Sequence, residues 1–185
     1  MNYKVEILRH PTNEDWLRCK TLALNTVGKK AVNQPADKWK TDLLRCEHSP
    51  IRTLMFTIKM EIPYWVSVHY VRHKYGVEHY VQSQRNDRQE KYDRNSARQD
   101  EMVSHIMDIN AQELMFMARK RLCGQAAKET RTVMMMIVKK VLETNPEFEE
   151  FLVPNCEYLG GLCKEMYPCG RNKAFEKETK ENDKI

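Results

Sequence analysis

Between Thr53 and Lys74 the hydrophobic period of the chain changes at a single proline. Leu54, Phe56 and Ile58 alternate with Thr53, Thr57 and Lys59 in a run ending at Ile62, the period of a strand with one buried face. Pro63 suits the first turn of a helix and cannot donate to a ladder, and Tyr64 to Lys74 reads as that helix. A strand running directly into a helix commits the chain to a mixed architecture. On the expected helix, His69, Arg72 and His73 recur at spacings of three and four, so they share one face.

The flanking sequence supplies further elements. Lys4 to Leu8 alternates like a short strand. Thr12 can cap a helix over Asn13 to Asn25, with Trp16, Leu17, Leu22 and Leu24 available to its buried side, and Gly28 ends that unit. Pro35 precedes a second helix, Ala36 to Cys46, carrying Trp39, Leu43 and Leu44, which His48-Ser49-Pro50 breaks. Residues 82 to 101 are almost wholly polar, a loop that is either mobile or covered by a ligand. Asn110 to Leu122 and Gln125 to Thr144 read as helices around Gly124. The second has Val133, Met134, Met136, Ile137, Val138 and Val141 as its core side. Its methionine cluster fits an adaptable core or a subunit interface. The expected fold is α+β and helix-rich, with a small antiparallel sheet. Residues 1–170 form one domain and residues 171–185 a polar, mobile tail.

Charged residues make up 31% of the chain, yet the net charge is only +5. That balance suits a soluble protein or an enzyme with an anionic substrate better than a nucleic-acid binder. The N-terminus has no signal-peptide apolar core, and no apolar run approaches spanning length. A cytoplasmic protein with no membrane partner is expected, and the six cysteines are then reduced thiols.

The charge that exists is concentrated. Arg72, His73 and Lys74 are followed at a short distance by Ser83, Arg85 and Arg88. Guanidinium groups fixed on packed elements hold oxyanions well, so a phosphorylated small molecule is the first ligand class to consider.

The same residues resemble the hallmark of the flavin-dependent thymidylate synthases (the ThyX family): R-H-R, a short gap, then a serine with an arginine two beyond it. His48-Ser49-Pro50 and the strand around Phe56-Thr57-Ile58-Lys59 look like that family's H-x-[ST]-P-[FI]-E-H segment. Asn110-Ala111-Gln112-Glu113-Leu114, with Arg121, Glu129 and Arg131, resembles its later helix. The resemblance covers about residues 45 to 145. Lys74 stands where the family has arginine, Ser83 comes one residue late, Arg52 replaces a glutamate and Gln112 an arginine. These departures fall more on flavin-side than on nucleotide-side positions.

The resemblance implies FAD as cofactor, with NADPH and methylenetetrahydrofolate as cosubstrates, dUMP or a related pyrimidine nucleotide as substrate, and a homotetramer with sites at subunit interfaces. It gives Ser49, Arg72, His73, Lys74 and Asn110 to the flavin. It gives His69, Arg72, Ser83, Arg85, Arg94 and Arg121 to the nucleotide. Arg98 competes with Arg94 for the phosphate, and Arg88 with Arg85. Arg121, beside the uracil ring, would carry the electrostatic catalysis. The rivals are a relative acting on another pyrimidine nucleotide, a non-catalytic binder of nucleotide or nucleic acid, and a small zinc protein built on the C-terminal cysteines.

No metal site is expected. His69 and His73 lack the intervening glutamate of a zinc-hydrolase helix. Cys156, Cys163 and Cys169 lack C-x2-C spacing and a fourth ligand. Cys123 has no helper residues that would single it out as a nucleophile.

Overall fold

A computed structural model describes residues 2–89 and 92–174. Four strands form an antiparallel sheet in the order β1-β2-β4-β3: β1 (Lys4–Arg9), β2 (Met55–Pro63), β3 (Val77–Val81) and β4 (Met102–Asn110). The longest ladder joins β2 to β4, from Met55 opposite Asn110 to Pro63 opposite Met102. Among the described residues there are six α-helices: α1 (Asn13–Asn25), α2 (Asp37–Arg45), α3 (Tyr64–Tyr70), α4 (Ala111–Arg121), α5 (Lys128–Leu142) and the short α6 (Asn155–Tyr158). A second, two-stranded parallel sheet pairs β5 (Leu162–Cys163) with β6 (Lys173–Ala174).

The alternation read between Leu54 and Ile62 is the core face of β2: Phe56, Ile58, Met60 and Ile62 are all fully buried. Met107 and Ile109 of β4 lie on the same face and join Val66, Tyr70, Leu114, Met115, Ile137 and Phe148 in one cluster. Burying a side chain of this size stabilises the fold by about 1.5–3 kcal/mol. Thr12 caps α1 in a reciprocal box: its hydroxyl accepts from the Asp15 N–H, and the Asp15 carboxylate accepts from the Thr12 N–H at 2.9 Å. Trp16 anchors that helix, its Nε1 donating to Glu147 at 2.7 Å.

Several elements differ from the sequence reading. The expected helix from Tyr64 to Lys74 stops at Tyr70. β3 lies between the expected helix and the expected loop over residues 82 to 101, and β4 follows that loop; both occupy stretches with no expected element. In α1 the buried residues are Trp16 and Cys19, while Leu22 is 39% exposed. In α5, Val133, Met134, Ile137 and Val141 are buried as expected, but Met136 and Val138 are only half-buried. Of residues 171–185, expected as a tail, Lys173 and Ala174 pair with β5; residues 175–185 lie outside the described part. Among the described residues, no helix is long and apolar enough to cross a membrane.

Candidate active site

The early end of α3 builds the site. Val71 donates to the Ser67 carbonyl at 3.1 Å and His73 to the Tyr70 carbonyl at 3.0 Å, so the chain tightens into a turn. The turn removes the common helical face expected for His69, Arg72 and His73. His73 folds inward and is 6% exposed, while Arg72 and Lys74 stay at the surface.

His73 lies between a carboxylate and a guanidinium. Arg121 Nε donates to His73 Nε2 at 3.1 Å, and His73 Nδ1 lies 2.7 Å from Glu113 Oε1. Nε2 therefore accepts, and the ring carries its proton on Nδ1, donating to Glu113. Arg121 also donates through Nη2 to the His69 carbonyl at 2.6 Å. A guanidinium has five N–H groups; these two bonds leave three. Burial, with Arg72 adding to it, pulls the Arg121 pKa down, while Tyr70 opposes them. Burial, then Arg121 and Arg72, also lower that of His69, whose Nδ1 meets the Thr130 hydroxyl at 2.7 Å.

Beneath this lies a histidine chain. His79 Nε2 donates to the His73 carbonyl at 3.0 Å, so His79 Nδ1 must accept from His105 Nε2, 2.9 Å away. His105 is fully buried and its Nδ1 has no partner. Burial, and then His79, push its pKa down to about 4. The chain is uncharged at neutral pH, which leaves the positive potential to the groups above it.

Those groups line a cavity of about 500 Å³: Arg72, Lys74, Lys120 and Arg121, with Glu113 and Glu165 as carboxylates. Phe116 and Tyr75 form its apolar wall, Tyr75 largely exposed and Phe116 nearly half exposed. The same two aromatics border a second cavity of about 470 Å³, lined also by Glu47, Arg52, Asn110, Gln112 and Arg119. Volumes of this size accommodate small ligands and cofactors. Two departures from the family pattern meet in the second cavity, where Arg52 Nε donates to Gln112 Oε1 at 2.5 Å.

The structure thus brings His73, Lys74, Arg72 and Arg121 to one cavity and Asn110 to its neighbour. His69 contributes its carbonyl. Asn110 also serves the fold directly, since its side chain accepts from the Glu113 N–H at 2.9 Å and caps α4. Ser49 lies in the 3-10 turn Ser49–Thr53 and lines neither cavity.

Ser83, Arg85 and Arg94 lie on the exposed segment after β3, and within one chain they line neither cavity. Arg85 pairs with Asp87 at 2.8 and 2.5 Å, and the Arg94 N–H donates to Asn86. Arg98 pairs with Asp100. Each of Arg85 and Arg98 meets a carboxylate two residues on, a local pairing that adjacent opposite charges favour in an exposed loop. Sequence reasoning missed Glu113, Phe116, Tyr75, Lys120, His79 and His105 as site components. Glu113, Phe116 and Lys120 could have been found, because spacings of three and four put them on one face of α4.

Fold and site define an α+β protein in which the turn after α3, the helix α4 and the connection that follows α4 wall a basic, aromatic-bordered cavity. No protein-family model and no curated protein matches the sequence. Among solved structures, the UMP/dUMP methylase PolB from Streptomyces cacaoi, bound with 5-Br dUMP, is similar with a TM-score of 0.63 and 14% sequence identity. The match covers 82% of this chain and 97% of that one. At that identity the likeness establishes a shared fold.

Proposed function

We propose that this chain is a pyrimidine-nucleotide methyltransferase of the flavin-dependent thymidylate synthase type, converting dUMP to dTMP. The observation that carries the reading is Arg121: half-buried, held by His73 and the His69 carbonyl, with three N–H groups left for a ligand at a cavity rimmed by Arg72 and Lys74. The PolB fold, whose solved example holds a brominated dUMP, supports the substrate class.

The residues present fit the ligands. Arg72, Lys74 and Lys120 suit a phosphate, and Phe116 and Tyr75 offer faces to planar rings. Two adjoining cavities that share those aromatics would hold the nucleotide and the flavin ring side by side. When bound, FAD would supply the hydride that completes the methyl group, with methylenetetrahydrofolate as carbon donor and NADPH as reductant. The protein orients and polarises. Arg121 donates to a carbonyl of the pyrimidine and stabilises the negative charge that develops when the ring carbon is activated. Glu113 fixes the His73 tautomer, which in turn fixes the guanidinium. Asn110, which lines the second cavity, would help hold the flavin.

The active assembly is a homotetramer in the cytoplasm, and Ser83, Arg85 and Arg94 reach the nucleotide of a neighbouring copy. The exposed Leu22 of α1 and Met135 of α5 offer apolar surface for such contacts. A second reading, that the base methylated is another uracil nucleotide such as UMP, is favoured by the likeness to PolB, a methylase of both UMP and dUMP.

The test is tritium release from [5-³H]dUMP and [5-³H]UMP with FAD, NADPH and methylenetetrahydrofolate supplied. Release dependent on all three supports the proposal. Purified protein that binds no flavin and releases no tritium from either nucleotide refutes it.

A further inference from the structure

Four of the six cysteines converge at the end of the chain farthest in sequence from β1. Cys123 follows α4, Cys156 lies in α6, Cys163 in β5, and Cys169 in the bend before β6. All four are free thiols and all four line one small, enclosed cavity of about 10 Å³, room for a single water-sized sphere or one ion. We propose that these four cysteines form a structural site for one zinc ion, in which four thiolates close a tetrahedral shell.

The first support is the donor set. Soft thiolates in a group of four select zinc in preference to hard cations, and a closed four-sulfur site has no open position for catalysis. Three of the ligands lie within one short C-terminal segment, and the fold supplies the fourth from the end of α4.

Local backbone geometry agrees. Glycine follows both Cys123 and Cys169, and Gly170 has φ +82°, a turn that other residues adopt at a cost. Cys169 packs directly on Gly124: a Cβ at Gly124 would lie 2.8 Å from the Cys169 sulfur. The Cys123 sulfur accepts from the Gln125 backbone N–H, an outer-shell bond of the kind that orients a metal ligand.

The segment also needs a staple. From Asn155 to Lys173, Cys163 is the one buried residue among the described side chains. Met166 is 85% exposed and Tyr167 75% exposed. Two strands of two residues and a four-residue helix cannot order such a segment by apolar burial, and small units of this kind are held by metals or disulfides. Among the described residues no group of three or more His, Cys, Asp or Glu side chains is already arranged to hold an ion. Zinc binding would have to draw the four sulfurs together and release their protons. The site would also steady the nucleotide cavity, because Cys123 and Glu165 line that cavity as well.

The experiment uses the full chain purified under reducing conditions without added chelator. Elemental analysis is expected to find one zinc per chain, released stoichiometrically to a zinc-sensitive dye when a mercurial blocks the thiols. Cobalt substituted for zinc is expected to give the intense visible bands of a tetrahedral thiolate complex. Cys169→Ser, at an exposed position, is expected to keep the fold by circular dichroism while the zinc content falls to background. Cys19→Ser and Cys46→Ser leave zinc content unchanged. The proposal is overturned by absence of zinc with all six thiols titratable, by disulfides among the four cysteines, by iron in place of zinc, or by zinc retained in both Cys123→Ser and Cys169→Ser. None of these readouts depends on nucleotide turnover, so the site stands or falls separately from the methyltransferase reading.

Discussion

Arg121 and His73 come from elements far apart in the chain and meet at 3.1 Å, the guanidinium donating and the imidazole accepting. Glu113 completes the arrangement by accepting from the other ring nitrogen at 2.7 Å. A carboxylate, an imidazole and a guanidinium in sequence hold the last group in a fixed orientation. A fixed donor is worth more to a reaction than a mobile one, because no reorganisation is needed as charge develops.

Arg121→Ala should therefore lower kcat for tritium release by about 100- to 1000-fold, while the thermal transition remains cooperative. Arg121→Lys keeps a charge but loses the planar fork, and recovery of less than a tenth of the activity is expected. Wild-type turnover in Arg121→Ala would remove the catalytic assignment.

The histidine chain makes stability depend on pH. His105 has a folded-state pKa of about 4 against an ordinary value of 6.5. The unfolded chain binds a proton between those values that the folded chain does not, so stability is fully present above about pH 6.5 and falls as pH drops toward 4. The loss attributable to His105 is on the order of 3 kcal/mol, and the lowered pKa values of His69 and His79 act in the same direction. Urea unfolding at pH 7 and pH 5 measures the part lost between those values, about 2 kcal/mol for His105. In His105→Phe the difference should shrink; an unchanged difference would place its origin elsewhere.

Asn110 has two separable roles. Removing the cap of α4 by Asn110→Ala should cost about 1 kcal/mol, whereas Asn110→Asp retains an acceptor and should cost roughly a few tenths. Gly76 has φ +72°, and an added Cβ would sit 2.3 Å from Asn110 Nδ2. Gly76→Ala is expected to destabilise by more than about 1 kcal/mol. If Asn110 also contacts flavin, Asn110→Asp will weaken flavin binding, read by fluorescence quenching, at nearly unchanged stability.

The exposed Arg85–Asp87 pair contributes little to the fold, so Arg85→Ala should shift stability by no more than about 0.5 kcal/mol. If the segment after β3 serves a neighbouring copy, the same variant will weaken nucleotide binding in the assembled protein. A variant with unchanged nucleotide affinity would confine Arg85 to its local ion pair.

Much of the fold was legible because single elements carry their own period. The alternation of β2, the Thr12 capping box and the apolar stripe of α5 each need nothing from distant sequence. β3 and β4 were harder. Val103, His105, Met107 and Ile109 do alternate against Ser104, Ile106 and Asp108, but an isoleucine on the outer side and a histidine at a core position dilute the signal, and His79 meets only one of the two nitrogens of His105. The end of α3 at Tyr70 was also hidden, since Val71 to Lys74 contains neither glycine nor proline.

In the site, residue identity was legible and geometry was not. Arg72, Lys74 and Arg121 could be singled out from the sequence, but the turn that buries His73 between Glu113 and Arg121 is a tertiary event. The pairing of Arg52 with Gln112 shows why two separate departures from a family pattern are read together only in three dimensions. Likewise, Cys123 is separated from Cys156 by the whole of α5, so their common cavity has no local signature.

Isothermal titration with dUMP and with deoxyuridine, which lacks the phosphate, tests the central claim most directly. In wild-type protein dUMP should bind at least about tenfold more tightly than deoxyuridine, about 1.4 kcal/mol. Arg72→Ala should erase most of that advantage, and added salt should reduce it. Equal affinity for the two ligands, or no binding of dUMP at all, would contradict an anion site built on Arg72, Lys74 and Arg121.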